Sequence, residues 1–228
     1  SGSSRAIACF VAASSATQSR SRLEAGPGRV TTSSSGAETR SSHRAVTADD
    51  PVRIASVSKL VTTMGVMRMV DRRQLDLDRD VSDYLGWTLR NPAFPDRPIT
   101  LRLLLSHQSS LLDGGELYIV PLGMTLRERL ADANVWDSQH APGSGWFHYT
   151  NLNFPVVASV MERVSGERFD RLMQRLVLKP LKLDACFNWE SCDAATATRA
   201  VVLYRDRAPV RDENRTGKPA CAVVVEDG

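Results

Sequence analysis

Between residues 56 and 71, apolar side chains recur every three or four positions, at Val57, Leu60, Val61, Met64, Met67 and Val70. That is the period of an amphipathic helix. The period returns over Val81 to Leu85, over Leu101 to Leu105 behind the N-cap candidate Thr100, and over Thr125 to Ala133. It appears twice more, over Val156 to Val164 and Phe169 to Val177, with Ser165-Gly166 as the stop between them. Loops are expected at 75–78, at Gly114-Gly115 and at the Ala141-Pro142-Gly143-Ser144-Gly145 turn. Outside this stretch the pattern changes. Residues 6–13 form an apolar run compatible with a buried strand or a short helix. Residues 14–50, rich in Ser, Thr, Arg and Gly, read as edge strands and turns, with strand character around Arg29 to Ser33. The last forty residues show no helical period, and Ala220 to Val225 is the best strand candidate there. The expectation is an α+β chain: a mainly helical subdomain over 56–183, with 1–55 and 184–228 contributing to a sheet subdomain.

At 228 residues and 42% apolar content the chain is long enough for one sizeable core or two closely packed subdomains. The formal net charge of +3 is too small and too evenly spread to point to nucleic acid or an anionic membrane as the partner. No apolar run reaches the length of a membrane span. The start, Ser1-Gly2-Ser3-Ser4, reads as a processed or artificially added terminus, in which case any export signal would already be gone. The four cysteines, Cys9, Cys186, Cys192 and Cys221, include no CxxC pair and are not flanked by the histidines, which argues against zinc. Cys186 and Cys192 could close a small loop as a disulfide or stand as two thiols. No cofactor is implied.

Ser56-Val57-Ser58-Lys59 is the sharpest chemical signal. Serine and lysine three apart at the start of a helix share a face, so the ammonium can reach the hydroxyl. A helix N-terminus also favours developing negative charge through its free N–H groups and dipole. This is the only Ser-x-x-Lys in the chain and uses one of only four lysines. Burial among valines, leucines and methionines would depress the lysine's pKa and let its neutral form accept a proton. The alternative is a solvent-facing lysine on an ordinary helix. The second signal is Tyr149-Thr150-Asn151 after the Gly/Pro turn. A phenol near a lysine can serve as general acid or base, and an asparagine two residues on can hold the lysine or a substrate amide. Taken alone, a tyrosine packed under a loop is the simpler reading. His148 could touch substrate but suits a surface role. His107 suits bracing a helix, and the tryptophans 87, 136, 146 and 189 suit core or loop packing.

Together these blocks resemble a family. Ile54 to Lys59, followed by Leu75-Asp76-Leu77, Val81 and Tyr84-Leu85, looks like the nucleophile helix of class C β-lactamases and their esterase and D-alanyl-peptidase relatives. Ile99 to His107 is similar to that family's helix-and-histidine stretch. Trp146 to Asn151, with Val164-Ser165-Gly166 and Lys179-Pro180-Leu181, is similar to its Tyr-x-Asn block and trailing helices. The likeness runs from about residue 28 to 190. It implies a β-lactamase/DD-peptidase-like fold, a helical subdomain beside an antiparallel sheet. It also implies that Ser56 attacks an acyl carbonyl, that Lys59 and Tyr149 share the proton transfers, and that Asn151 orients substrate or Lys59. The Ser56 backbone N–H would be one oxyanion donor. Substrates would be small-molecule or peptide acyl compounds, and a periplasmic or extracytoplasmic location is favoured by the same likeness.

The departures matter as much. The family's His-x-Ser-Gly reads His107-Gln108-Ser109-Ser110 here, which bears on the backbone of that loop, and its Pro-Leu-Gly-Met reads Pro180-Leu181-Lys182-Leu183. The family's third element, a strand bearing Lys or His, then Thr or Ser, then Gly, has only Arg215-Thr216-Gly217 as a weak counterpart. Relatives continue well beyond this length and complete the sheet. The expectation is therefore one piece of a longer or cleaved polypeptide, with a second polypeptide supplying the remaining strands. The competing reading is an inert relative serving as a binding or scaffold protein. There is no Gly-x-Ser-x-Gly elbow for an α/β-hydrolase, and no phosphate-binding or dinucleotide fingerprint.

Overall fold

The computed structural model describes residues 51–114, 120, 124–188 and 191–192, together with strand pairs at 30–32, 42–44, 204–205 and 208–209. The expected features at 6–13, 215–217 and 220–225, with Cys9, Gly115, Trp189 and Cys221, lie outside the described residues. Strands β1 (Val30–Thr32) and β2 (Ser42–Arg44) pair antiparallel, with Thr31 opposite His43. A second antiparallel pair, β3 (Tyr204–Arg205) and β4 (Ala208–Pro209), follows the helices. The two pairs form separate two-stranded sheets among the described residues.

Between them the chain is helical, in the order the apolar period predicts: α1 (Ser58–Asp71), α2 (Ser82–Leu85), α3 (Leu101–Leu105), α4 (Leu126–Leu130), α5 (Asn153–Ser165) and α6 (Phe169–Met173). A π-helical turn, Gln174–Leu178, continues α6. Local chemistry sets the ends. Thr100 caps α3 by accepting the Leu103 N–H at 3.3 Å. Thr125 and Glu128 form a reciprocal capping box at the start of α4, at 2.9 and 2.6 Å. Gly166 ends α5 at φ 68°, its N–H bonded to the Glu162 carbonyl at 2.8 Å. Pro155 falls in the first turn of α5, where the missing N–H breaks no helical bond.

Helix α5 is the centre of the core. Every residue from Asn153 to Glu162 is buried, and the helix packs on α2, α3 and α6. Fully buried Leu101, Leu104, Val156, Val157, Val160, Met161, Leu172 and Leu176 meet there; each such side chain contributes about 1.5–3 kcal/mol. Trp136 is also core, its indole donating to the Leu130 carbonyl at 2.8 Å.

Helix α1 forms as expected, but the face it buries is not the one its apolar period suggests. Thr62, Gly65, Val66 and Met69 are buried, while Val57, Leu60, Met64 and Met67 are exposed. The reason is steric. A Cβ added to Gly65 would stand 2.6 Å from Met173 Sδ and 3.1 Å from Met161 Cε, so the glycine lets α1 approach the turn after α6 more closely than a larger residue would. Val61 and Val70 of the apolar stripe pack against the edge of the core, while Val57, Leu60, Met64 and Met67 form a second face, exposed among the described residues. Lys59 is accordingly half-buried rather than enclosed.

Both departures from the family's glycines fall on left-handed backbone. Ser110 has φ 67° and Lys182 φ 55°, so the chain keeps the glycine conformation with a side chain in place. Ser110 is held by its hydroxyl donating to the His140 carbonyl at 2.6 Å. Lys182 follows the π turn in a Schellman-like closure, in which the Leu183 N–H reaches the Leu178 carbonyl at 2.9 Å. Cys186 and Cys192 form a disulfide, with Cα atoms 5.3 Å apart.

Candidate active site

Ser56 sits in a 3-10 turn, Ala55–Val57, that runs straight into α1. Ala55 immediately before it has φ 47°, a left-handed conformation that costs a non-glycine residue about 1–2 kcal/mol. The Ser58 hydroxyl donates to the Ala55 carbonyl, and the Val57 N–H reaches the Ile54 carbonyl at 3.1 Å. These bonds hold the strained turn that leaves Ser56 exposed at the mouth of the helix.

The side chains singled out from the sequence meet there, although Tyr149 and Asn151 lie more than ninety positions further along the chain. Lys59 Nζ donates to Ser56 Oγ at 3.2 Å and to Asn151 Oδ1 at 2.8 Å. Tyr149 Oη is 2.8 Å from Ser56 Oγ and donates to Asn151 Oδ1 at 3.4 Å. The ammonium also lies 5.3 Å from the ring centres of Tyr149 and Phe154, within the range of cation–π attraction. The hydroxyl of Ser56 therefore faces two groups that can exchange protons with it, a phenol and an amine. A third, Asn151, links those two through one oxygen.

The Tyr149-Thr150-Asn151 segment runs outside regular secondary structure into the turn before α5 and is held by the loop at 107–113. His107 Nδ1 accepts the Thr150 N–H at 3.1 Å, and the Asn153 side-chain amide lies at the same distance from that nitrogen. Asn153 in turn accepts from the buried Ser109 hydroxyl at 2.6 Å. Thr150 Oγ1 donates to the Leu111 carbonyl at 2.7 Å. Burial, helped by the nearby Lys59 charge, holds His107 below its usual pKa. A neutral ring accepting at Nδ1 carries its proton on Nε2. His107 thus braces both the loop, through Thr150, and the first residue of α5, through Asn153, and its ring packs 4.7 Å from that of Tyr149. His148 turns away from Tyr149 and stacks on Trp146 at 5.0 Å, and Trp146 stacks on His140 at 4.4 Å.

Asp113 is the residue that the sequence did not single out. One carboxylate oxygen accepts the Asn151 N–H at 2.8 Å and the Asn151 side-chain amide at 2.7 Å; the other accepts the Leu152 N–H at 3.1 Å. Nothing in its spacing distinguishes it from the chain's other aspartates. Only its position six residues after His107, in a loop that folds back under Asn151, gives it this role.

The family model described as Beta-lactamase matches residues 23–221. Esterase EstB of Burkholderia gladioli is 31% identical over 195 residues, covering 78% of this chain and 47% of that protein. D-alanyl-D-alanine-carboxypeptidase/endopeptidase AmpH of Escherichia coli is 31% identical over 137 residues, covering 58% of this chain and 35% of its own length. Among solved structures, EstCE1, a hydrolase with promiscuous acyltransferase activity, superposes with a TM-score of 0.58 at 28% identity, covering 75% of this chain and 48% of that one. The chain spans about half or less of the length of these relatives.

Proposed function

The chain belongs to the Beta-lactamase family, and on that footing we propose that it carries the nucleophile-bearing part of a serine hydrolase working through an acyl-enzyme on Ser56. The observation that carries this is the convergence of Ser56 Oγ, Tyr149 Oη and Lys59 Nζ within 2.8 and 3.2 Å of the serine oxygen. In the reaction, Ser56 Oγ bonds to the acyl carbon of an ester, amide or β-lactam and its proton passes to the Tyr149–Lys59 pair. The carbon–heteroatom bond to the leaving group then breaks, and the leaving group takes up that proton. A water molecule next adds to the acyl carbon and gives its proton to the same pair. The Ser56–acyl bond breaks, the acid leaves, and Ser56 recovers its hydroxyl proton. Asn151 keeps Lys59 in place, and the Ser56 N–H supplies one oxyanion donor. The names of the relatives, an esterase and a D-alanyl peptidase, support ester and peptide acyl substrates as the first to try.

Residues 56–183 form the helical subdomain in this reading, and 1–55 with 184–228 contribute to the sheet subdomain. Further strands, on the same polypeptide or on a second one, complete it and bring the missing oxyanion donor. The exposed Val57, Leu60, Met64 and Met67 stripe supports this, because an apolar helix face of that length is ordinarily covered.

The test is hydrolysis by the full-length gene product of p-nitrophenyl esters, a D-alanyl-D-alanine peptide and a chromogenic β-lactam. Ser56→Ala is expected to fall to background on every substrate that the wild type turns over. Tyr149→Phe should lose about 10²- to 10⁴-fold in kcat. A Ser56→Ala variant as active as wild type would end the reading.

A further inference from the structure

The Asn151 side chain is a carboxamide, with one end that accepts hydrogen bonds and one that donates, and the two ends are nearly equal in size. Its working orientation, with Oδ1 towards Lys59 Nζ at 2.8 Å, is therefore not set by shape. Something must discriminate oxygen from nitrogen at the far end. The group there is Asp113, whose Oδ2 takes the Asn151 Nδ2 hydrogen at 2.7 Å. A carboxylate only accepts. A flipped amide would set its oxygen against the Asp113 carboxylate and its NH₂ against the Lys59 ammonium, two repulsions where there are now two hydrogen bonds. The same carboxylate grips the backbone on either side of the Asn151 carbonyl, through the N–H groups of Asn151 and Leu152 at 2.8 and 3.1 Å. Those amides lie just before α5, where the helix dipole favours a negative charge.

We propose that Asp113 is a positioning residue: by locking the Asn151 amide it fixes which atom meets Lys59, and through Lys59 it fixes the lysine's place at the Ser56 hydroxyl. The Asp113 carboxylate bonds to Asn151 and to the Leu152 N–H, and it acts on Lys59 through Asn151. This rests on the serine-hydrolase reading above for its consequence in catalysis, but not for the locking itself.

The variant that separates orientation from mere support is Asp113→Asn. Its side-chain oxygen still serves a backbone N–H, while its NH₂ removes the penalty on the flipped Asn151 amide. On a substrate that the full-length protein turns over, kcat is expected to fall about 10- to 100-fold with KM changed less than about 3-fold, the size of loss that misplacement of a catalytic group produces. The same substitution made on Asn151→Ala should add little further loss, because the group it orients is already gone. Thermal unfolding of each variant, followed by circular dichroism, identifies any that has simply lost its fold. The locking is read without activity, from hydrogen exchange of the Asn151 side-chain amide in ¹⁵N-labelled protein, its signal assigned by its loss in Asn151→Ala. Exchange is expected to speed up at least about 10-fold in Asp113→Asn. Unchanged exchange would overturn the locking whether or not the protein hydrolyses anything. Faster exchange with wild-type kcat, or full additivity with Asn151→Ala, would overturn the positioning role. A wild type inert on all substrates would instead count against the hydrolase reading, and the exchange result would still decide the locking.

Discussion

Glu162 lies on α5, only 3% exposed, in the most enclosed part of the core. Its carboxylate accepts the Phe169 N–H at 2.6 Å, which caps the start of α6. Burial pushes its pKa from the ordinary 4.5 up to about 7; the Asp170 carboxylate adds to the rise, while the Phe169 N–H and the Arg168 guanidinium oppose it. Arg168 also pairs at two points with the buried Asp170, at 2.6 and 2.7 Å. The folded state therefore holds a proton on Glu162 between about pH 4.5 and 7 that the unfolded chain has released. An acid with a raised pKa gives stability at low pH that is lost as pH climbs through the folded value. At 1.36 kcal/mol per pH unit, the gap between 4.5 and about 7 amounts to roughly 3 kcal/mol, of which about 2–3 kcal/mol falls between pH 5 and pH 8.

Glu162→Gln keeps the shape and an oxygen for the Phe169 N–H, but removes the titration. Urea unfolding at pH 5, 6, 7 and 8 should show the variant close to wild type at pH 5 and more stable than wild type by about 2–3 kcal/mol at pH 8. His107, held below its usual pKa, contributes with the opposite sign, rising in stability as pH increases towards 6.5. That contribution is common to both proteins and cancels in their difference. Parallel stability curves for the two proteins would refute the reasoning.

Three further outcomes follow from backbone and packing. Lys182, exposed and at φ 55° in a closure that favours glycine, should gain about 0.5–1 kcal/mol on Lys182→Gly, read as a shift in the urea midpoint; a loss would mean that the strain is absent. Gly65→Val should cost about 2–3 kcal/mol, since its branch must enter space already filled by buried Met173 and Met161. An unaltered midpoint would show that the α1 seam is loose. His107→Ala should lower kcat by about 10-fold or more, with a small change in KM, because Thr150 loses the acceptor that holds the Tyr149 segment; steady-state kinetics on any turned-over substrate decides it.

The order of the helices and the three catalytic candidates were legible in the sequence, for physical reasons. Apolar period, N-cap threonines and the Gly166 stop are local signals, and Ser56 and Lys59 are neighbours on one helix turn. The helix α1 was legible but its buried face only in part, because the helix is apolar on two sides: Val66 and Met69 are buried beside the small Thr62 and Gly65, Val61 and Val70 pack at the margin, and periodicity does not choose between the two faces. Asp113 was missed because its partners, Asn151 and Leu152, are brought to it only by the return of the chain after α4. The conformation of Ser110 and Lys182 could be suspected from the missing glycines but not decided, since serine and lysine reach the left-handed region only when the surroundings hold them there. The disulfide between Cys186 and Cys192 depended in the same way on the distance between their Cα atoms, which spacing alone does not give.

The most direct test of the account is denaturing intact-mass spectrometry of the full-length gene product, with and without a serine-acylating probe, alongside Ser56→Ala. The account predicts one probe adduct, mapped by peptide analysis to Ser56 and missing from the alanine variant. A wild type that acquires no adduct, or one that carries it on another residue, would contradict it.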